Sequence, residues 1–288
     1  MFRSATHRFL LVLFPLLLPA QRFEIPGEVR QGDVLHVRVL DVGRPFSLEA
    51  ELNARKVPLF SAGDAHAGLM PVSVLHPAGS FLLAVRDAST GRTLHTQSVL
   101  VRDGAFPEQN ISATGRMQSL KPLPGEMERV HRLQRTVSLQ RHWAEPFLPP
   151  TGDCMNSPFG VKRLHNGQPS GRFHGGIDLR SPKGRPITAP SGGVVRIARM
   201  LRVHGGTVGI DHGQGLISMH LHMSRIATRE GRTVKRGALL GYVGATGFAT
   251  GPHLHWATYV HGVAVNPLQW SSRIDGCGGR SEESQQIE

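Results

Sequence analysis

Five histidines and one aspartate in the C-terminal half of the chain have the types and spacings of a metal site. His174 and Asp178 stand four apart across Gly175-Gly176-Ile177. Two adjacent glycines disfavour a helix and suit a bent, extended segment on which both side chains can converge. His253 and His255 follow the turn residues Thr250-Gly251-Pro252 and alternate at the start of a strand, and residues two apart on a strand face the same side. His220 and His222 alternate in the same way inside the apolar run from Leu216 to Met223, which predicts a second pair on a common face. Neutral imidazole and carboxylate are the donors of a catalytic zinc site, which uses three protein ligands and keeps a fourth position open. The only two cysteines, Cys154 and Cys277, exclude a thiolate cluster and a disulfide-dense scaffold.

The elements that must carry these residues can be read from the remainder of the chain. Its 288 residues are enough for two modest domains with their own cores. Residues 21–102 alternate apolar and polar side chains in short runs, such as Leu35 to Leu40 and Phe81 to Val85, separated by turn clusters. That rhythm predicts an N-terminal Ig-like β-sandwich. Residues 103–150 are polar, basic and rich in proline and form a connector. Within it, Pro124 to Val137 reads as a short helix, with Glu126 and Glu128 early, Arg132 and Arg135 late, and Met127, Val130 and Leu133 on one docking face. Residues 151–270 return to glycine-centred turns and β-rich apolar runs, and residues 271–288 are a polar tail expected to be mobile. The fold class expected is all-β, with an antiparallel sheet in the C-terminal domain and one connector helix.

Charge and targeting narrow the setting. The chain carries a formal net charge of +12. Residues 152–270 hold 14 Lys+Arg against 4 Asp+Glu, a surface suited to an anionic polymer. The basic residues Lys162, Arg163, Arg172, Arg180, Lys183, Arg185, Arg196, Arg199 and Arg202 read mainly as a solvated face. Aromatic residues make up 6% of the chain, too few for a protein that stacks nucleic-acid bases, so no nucleic-acid partner is expected. Residues 1–20 place Arg3 and Arg8 before an apolar run from Phe9 to Leu18, with Ala20 at a cleavage point, the pattern of a secretory signal peptide. The run is half the length of a membrane span and holds Pro15, so no stable membrane insertion is expected after cleavage. Export to the periplasm or the extracellular envelope follows, and there Cys154 and Cys277 could either bridge or remain thiols.

With these residues in hand, the segment from Ser157 to Trp270 resembles the lysostaphin-like, or LytM-like, zinc endopeptidases that cut peptide cross-links in bacterial peptidoglycan. Ser157-Pro158-Phe159-Gly160, the His174-to-Asp178 spacing, Gly206 to Gly213, Gly237 to Gly244 and Pro252-His253-Leu254-His255 carry the likeness. The resemblance implies one zinc ion per chain held by His174, Asp178 and His255, with His222 and His253 as catalytic histidines. It implies peptidoglycan peptide stems as substrate, with other anionic envelope polymers as further partners. His220 departs from the common pattern, in which tyrosine often stands two residues before the catalytic histidine. The alternative function is a non-catalytic, envelope-binding regulator of other cell-wall hydrolases. His165, His204, His212 and His261 lie in turn-like contexts and read as surface or locally hydrogen-bonded residues, and Trp256 as a packing residue.

Overall fold

The computed structural model describes residues 21–42, 47–271 and 274–277; the expected signal peptide lies outside them. The fold is all-β. Eight strands come first: β1 (Arg22–Glu24), β2 (Glu28–Arg30), β3 (Val34–Leu40), β4 (Leu48–Leu52), β5 (Arg55–Ala62), β6 (Ala65–Pro71), β7 (Gly79–Asp87) and β8 (Thr93–Arg102). They pair in the order β1-β3-β6-β5-β4-β7-β8-β2. The long β5 is the corner: Leu52 to Leu48 of β4 pair with its first half and β6 with its second. Alternation closes a core in which Leu35, Val37, Val39, Leu48, Ala50, Leu83, Val85 and Val99 point inward while His36 and Arg38 point out.

The connector contributes β9 (Glu108–Ile111), a single turn α1 (Gly115–Gln118) and α2 (Glu126–Gln134). α2 is shorter than the expected Pro124 to Val137. It begins after Gly125, whose φ of 75° only glycine adopts freely, and ends where Thr136 bonds back to Leu133 and Arg132. Val130 and Leu133 dock on Ile197, Ile217, Met219 and Leu221. Met127 does not join this face and stays exposed; the buried third residue is Glu126.

The C-terminal unit holds β10 (Met155–Ser157), β11 (Lys162–His165), β12 (Gln168–Phe173), β13 (Ile177–Leu179), β14 (Pro186–Thr188), β15 (Gly193–Leu201), β16 (Gly205–Gly213), β17 (Leu216–Met223), β18 (Arg225–Ile226), β19 (Thr233–Val234), β20 (Leu239–Tyr242), β21 (Leu254–Val260) and β22 (Val263–Val265). Its main sheet runs β10-β13-β21-β17-β16-β15-β19 with antiparallel neighbours throughout, and β22 pairs with β21. β14-β20-β18 and β12-β11-β9 form two small sheets, the second recruiting the connector strand in parallel. Gln214 and Gly215, both at positive φ, make the tight turn between β16 and β17 that matches strand twist. Ile177, Leu179, Val208, Ile210, Leu216, Leu254 and Trp256 fill the core, which also takes in Val34 and Leu69 from the N-terminal unit.

The tail is not wholly free. Cys154 and Cys277 form a disulfide, and Met155 exchanges backbone hydrogen bonds with Asp275 and Cys277, so residues 274–277 are tied to β10. Among the described residues, no helix is long and apolar enough to cross a membrane.

Candidate metal centre

Strand register brings Asp178 and His255 together. Asp178 of β13 lies directly opposite His255 of β21, and directly paired residues share a face with their Cβ atoms about 5 Å apart. His174 reaches them from the bend before β13. It is clamped by its own backbone, which donates to Val161 O and accepts from Gly160 N–H. The bend needs glycine at 176: a Cβ there would stand 2.4 Å from the carbonyl oxygen of Trp256.

The three donor atoms converge. His174 Nε2 lies 3.0 Å from Asp178 Oδ1 and 3.1 Å from His255 Nδ1, which is itself 2.9 Å from Asp178 Oδ1. His174 Nδ1–H donates to Pro158 O at 2.8 Å, which leaves the Nε2 lone pair of the neutral ring facing a carboxylate. Two acceptors at that distance repel unless a cation sits between them. Nitrogen and carboxylate donors, nearly buried and with one tautomer set from outside, fit a zinc ion.

Electrostatics favour ligand-ready protonation states. Burial alone would raise the Asp178 carboxyl, but hydrogen bonding and positive charge at the facing His174 and His255 nitrogens, which a proton or a metal ion there supplies, outweigh it and hold the group well below the usual carboxylate range. Burial pushes His255 down to about 4, against the opposing hydrogen bond and charge of Asp178. Asp178 Oδ2 accepts from Arg163 Nη2 at 2.9 Å, and the same guanidinium nitrogen donates to Ser157 Oγ at 3.0 Å. Ser157 Oγ–H in turn donates to Gln109 of the connector strand at 2.8 Å. Arg163 therefore does not belong to a solvated face; it lies half-buried beside the carboxylate.

His222 and His253 complete the cluster. Their rings are 4.8 Å apart, His222 is 6.1 Å from the ring of His255, and His253 Nε2 is 3.7 Å from Asp178 Oδ1. His222 Nδ1–H donates to Thr246 O at 2.8 Å and His253 Nδ1–H to Gly251 O at 2.9 Å, so Nε2 is the nitrogen each ring leaves bare in its neutral form. Burial, then the neighbouring His253 and His255, push His222 down to about 3. The expected common face of His220 and His222 fails. Leu221 pairs with His255, so strict alternation would turn His222 away from the site with His220. His222 instead adopts φ 63°, which interrupts the alternation and brings its ring to His253, while His220 stays sealed in the sheet with Nδ1 3.4 Å from Val208 O.

The other histidines sit elsewhere. His212 is fully buried between Gly192 O and Ser218 Oγ, His204 bonds Glu126, His165 lies against Phe248, and His261 is half-buried beside Gly215. Trp256 is fully buried, as a packing residue should be. The sequence assigned no site role to Arg163, Ser157, Gln109 or Thr246. Two of them carried a signal: Ser157 opens a motif of the resemblance, and Arg163 is a basic residue close before a glycine-rich metal-type motif.

Comparison with known proteins gives a consistent picture. Residues 172–267 match the model of Peptidase family M23. Over 114 residues, 40% of this chain, the sequence is 38% identical to the DD-carboxypeptidase/endopeptidase Mpg of Neisseria meningitidis serogroup B, and over 113 residues, 39% of the chain, it is 37% identical to the peptidoglycan DD-endopeptidase ShyC of Vibrio cholerae. The matched part spans 26% of each of those relatives. A solved structure from Pseudomonas aeruginosa, described as a candidate M23 peptidase, superposes with a TM-score of 0.63 at 29% identity, covering 83% of this chain and 93% of that one.

Proposed function

We propose, from the premise that residues 172–267 match Peptidase family M23, that the chain is an exported zinc endopeptidase that hydrolyses peptide cross-links of bacterial peptidoglycan. The observation that carries this is the meeting of His174 Nε2, Asp178 Oδ1 and His255 Nδ1 within 3.1 Å of one another, flanked by two histidines with bare Nε2 atoms. His174, Asp178 and His255 would hold the metal, which when bound supplies Lewis acidity and lowers the pKa of water. The relatives' names, a DD-endopeptidase and a DD-carboxypeptidase/endopeptidase, support a peptide bond of the wall as substrate.

The chain's own residues then manage the proton. Water oxygen adds to the scissile carbonyl carbon while the Nε2 of His222 or His253 accepts the proton. The imidazolium so formed donates a hydrogen bond to the oxyanion of the tetrahedral state, then passes the proton to the departing amine nitrogen as the C–N bond breaks. Burial keeps the His222 ring neutral at rest, with Nε2 free of a proton. Arg163 fixes the plane of the Asp178 carboxylate through Oδ2, leaving Oδ1 toward the two ligand rings. The signal pattern of residues 1–20, the net charge of +12 and the single disulfide support export to an anionic, oxidising envelope.

The test is zinc content of the mature protein together with release of amino groups from purified peptidoglycan, with and without chelator, for the parent and for His222→Ala. The expected result is one zinc per chain in both, with chelator-sensitive release only in the parent. Undiminished release by His222→Ala, or release indifferent to chelator, would reject the reading.

A further inference from the structure

Glu126 opens helix α2 of the connector, outside the residues that match the family model, yet it is only 3% exposed. Its carboxylate accepts from five N–H groups. Oε2 takes the backbone N–H of Leu123 at 3.1 Å and of Arg202 at 2.9 Å; Oε1 takes Val203 N–H at 2.9 Å, His204 N–H at 3.4 Å and His204 Nδ1 at 3.1 Å. An ion removed from water persists only where such donors replace hydration. Here they outweigh burial and hold the Glu126 carboxyl at about 2.

Four of the five donors belong to the turn Arg202–Val203–His204 between β15 and β16, and that turn holds the catalytic side. The carbonyl of His204 accepts the backbone N–H of His222 at 3.1 Å, and the carbonyl of Val203 accepts that of Phe248 at 2.8 Å. Just beyond, Gly206 N–H donates to Thr246 Oγ1 at 2.9 Å, and Thr246 O accepts the His222 ring. A non-glycine residue at φ 63° keeps that conformation only when its surroundings over-determine it. The hydrogen bond from His222 N–H to the turn is one of the constraints that do so.

We propose that Glu126 is a positioning residue for His222 and for the loop leading to His253: the connector carboxylate fixes the 202–204 turn, whose carbonyls hold the backbone of His222 and of Phe248. The connector helix is thereby a working part of the active site. This rests on the reading of His222 as a catalytic residue.

The experiment uses the full mature chain with Glu126→Gln, the same shape without the charge, and Val130→Ala as comparator, which loosens helix docking and leaves the carboxylate. Three quantities are read: amide hydrogen exchange of His222 and Phe248 by NMR, kcat and KM on a soluble cross-linked muropeptide, and zinc per chain. The expected result for Glu126→Gln is exchange about 10-fold faster at both amides and kcat lower by about 10- to 100-fold, the scale of a small misplacement of a reacting group. KM and zinc content should stay at parent values. Parent-like exchange and kcat would overturn the proposal, as would an equal loss in Val130→Ala at the same drop in melting temperature. If Glu126→Gln does not fold, Glu126→Asp is read instead: it retains the charge but draws it back by one methylene, and parent-like values there overturn the proposal too. If the parent cleaves no peptidoglycan, the functional reading fails by itself, while exchange at His222 still decides whether Glu126 holds its backbone.

Discussion

Removing the Cys154–Cys277 bridge should lower the stability of the C-terminal unit by several kcal/mol. The two residues are 123 apart in sequence, with Cα atoms 5.0 Å apart. Closing a loop of that length removes about 16 cal/mol/K of chain entropy from the unfolded state, worth about 5 kcal/mol at 25 °C. The folded state changes little on reduction, because Met155 N–H to Asp275 O at 2.8 Å and Cys277 N–H to Met155 O at 2.9 Å still hold the tail on β10. The loss is therefore charged to the unfolded ensemble, and about 3–5 kcal/mol is expected once residual compactness there is allowed for. The assay is reversible urea unfolding of the parent and of the Cys154→Ser/Cys277→Ser double variant, both saturated with zinc, followed by tryptophan fluorescence. All three tryptophans, Trp143, Trp256 and Trp270, are buried in the C-terminal core, so the signal reports the loss of that core. With a slope of about 3 kcal/mol/M the midpoint should fall by about 1–1.7 M. A shift below about 0.3 M at unchanged slope would refute the loop-closure argument.

Two further outcomes follow from buried groups. Desolvation pushes His212 and His220 down to about 4 and about 3 from the 6.5 they have in an unfolded chain. The unfolded state then takes up their protons first, so stability is full above pH 6.5 and falls as pH drops from there toward 4 and 3. Urea midpoints should be level from pH 8 to 7 and decline steadily below 6; a midpoint unchanged down to pH 4 would contradict this assignment. Gly176→Ala would drive a Cβ to within 2.4 Å of Trp256 O and 2.9 Å of Ala257 Cα, forcing the His174 bend away from β21. A loss of about 1–3 kcal/mol in thermal or urea unfolding is expected, with weakened zinc retention on dialysis; parent-like behaviour in both would show that the bend has slack.

Much of the fold could be read locally. The alternation of Leu35 to Leu40 and of Phe81 to Val85 announces half-buried strands because the period of two is a property of one strand alone, and β3 and β7 contain those runs. The docking face of α2 was half legible: Val130 and Leu133 followed from helical spacing, but Met127 gave way to Glu126, whose burial depends on a turn 76 residues further on. The tail looked mobile from composition, and a disulfide partner 123 residues away ties part of it down.

The site divides in the same way. His174 with Asp178, and His253 with His255, stand at spacings that a bend and a strand convert directly into proximity, so their chemistry was visible in the sequence together with the absence of thiol ligands. What the sequence alone could not supply was anything set between strands: the register that puts Asp178 opposite His255, the guanidinium of Arg163 on Asp178 Oδ2, and the connector's Gln109 on Ser157 and Glu126 on the 202–204 turn. Even the His220/His222 alternation misled, because a left-handed φ at His222 is held by hydrogen bonds that it donates to the carbonyls of His204 and Thr246. Residue types and short spacings determine which chemistry is possible. Pairing register and long-range hydrogen bonds, whose energies depend on the whole packed chain, determine which of those groups meet.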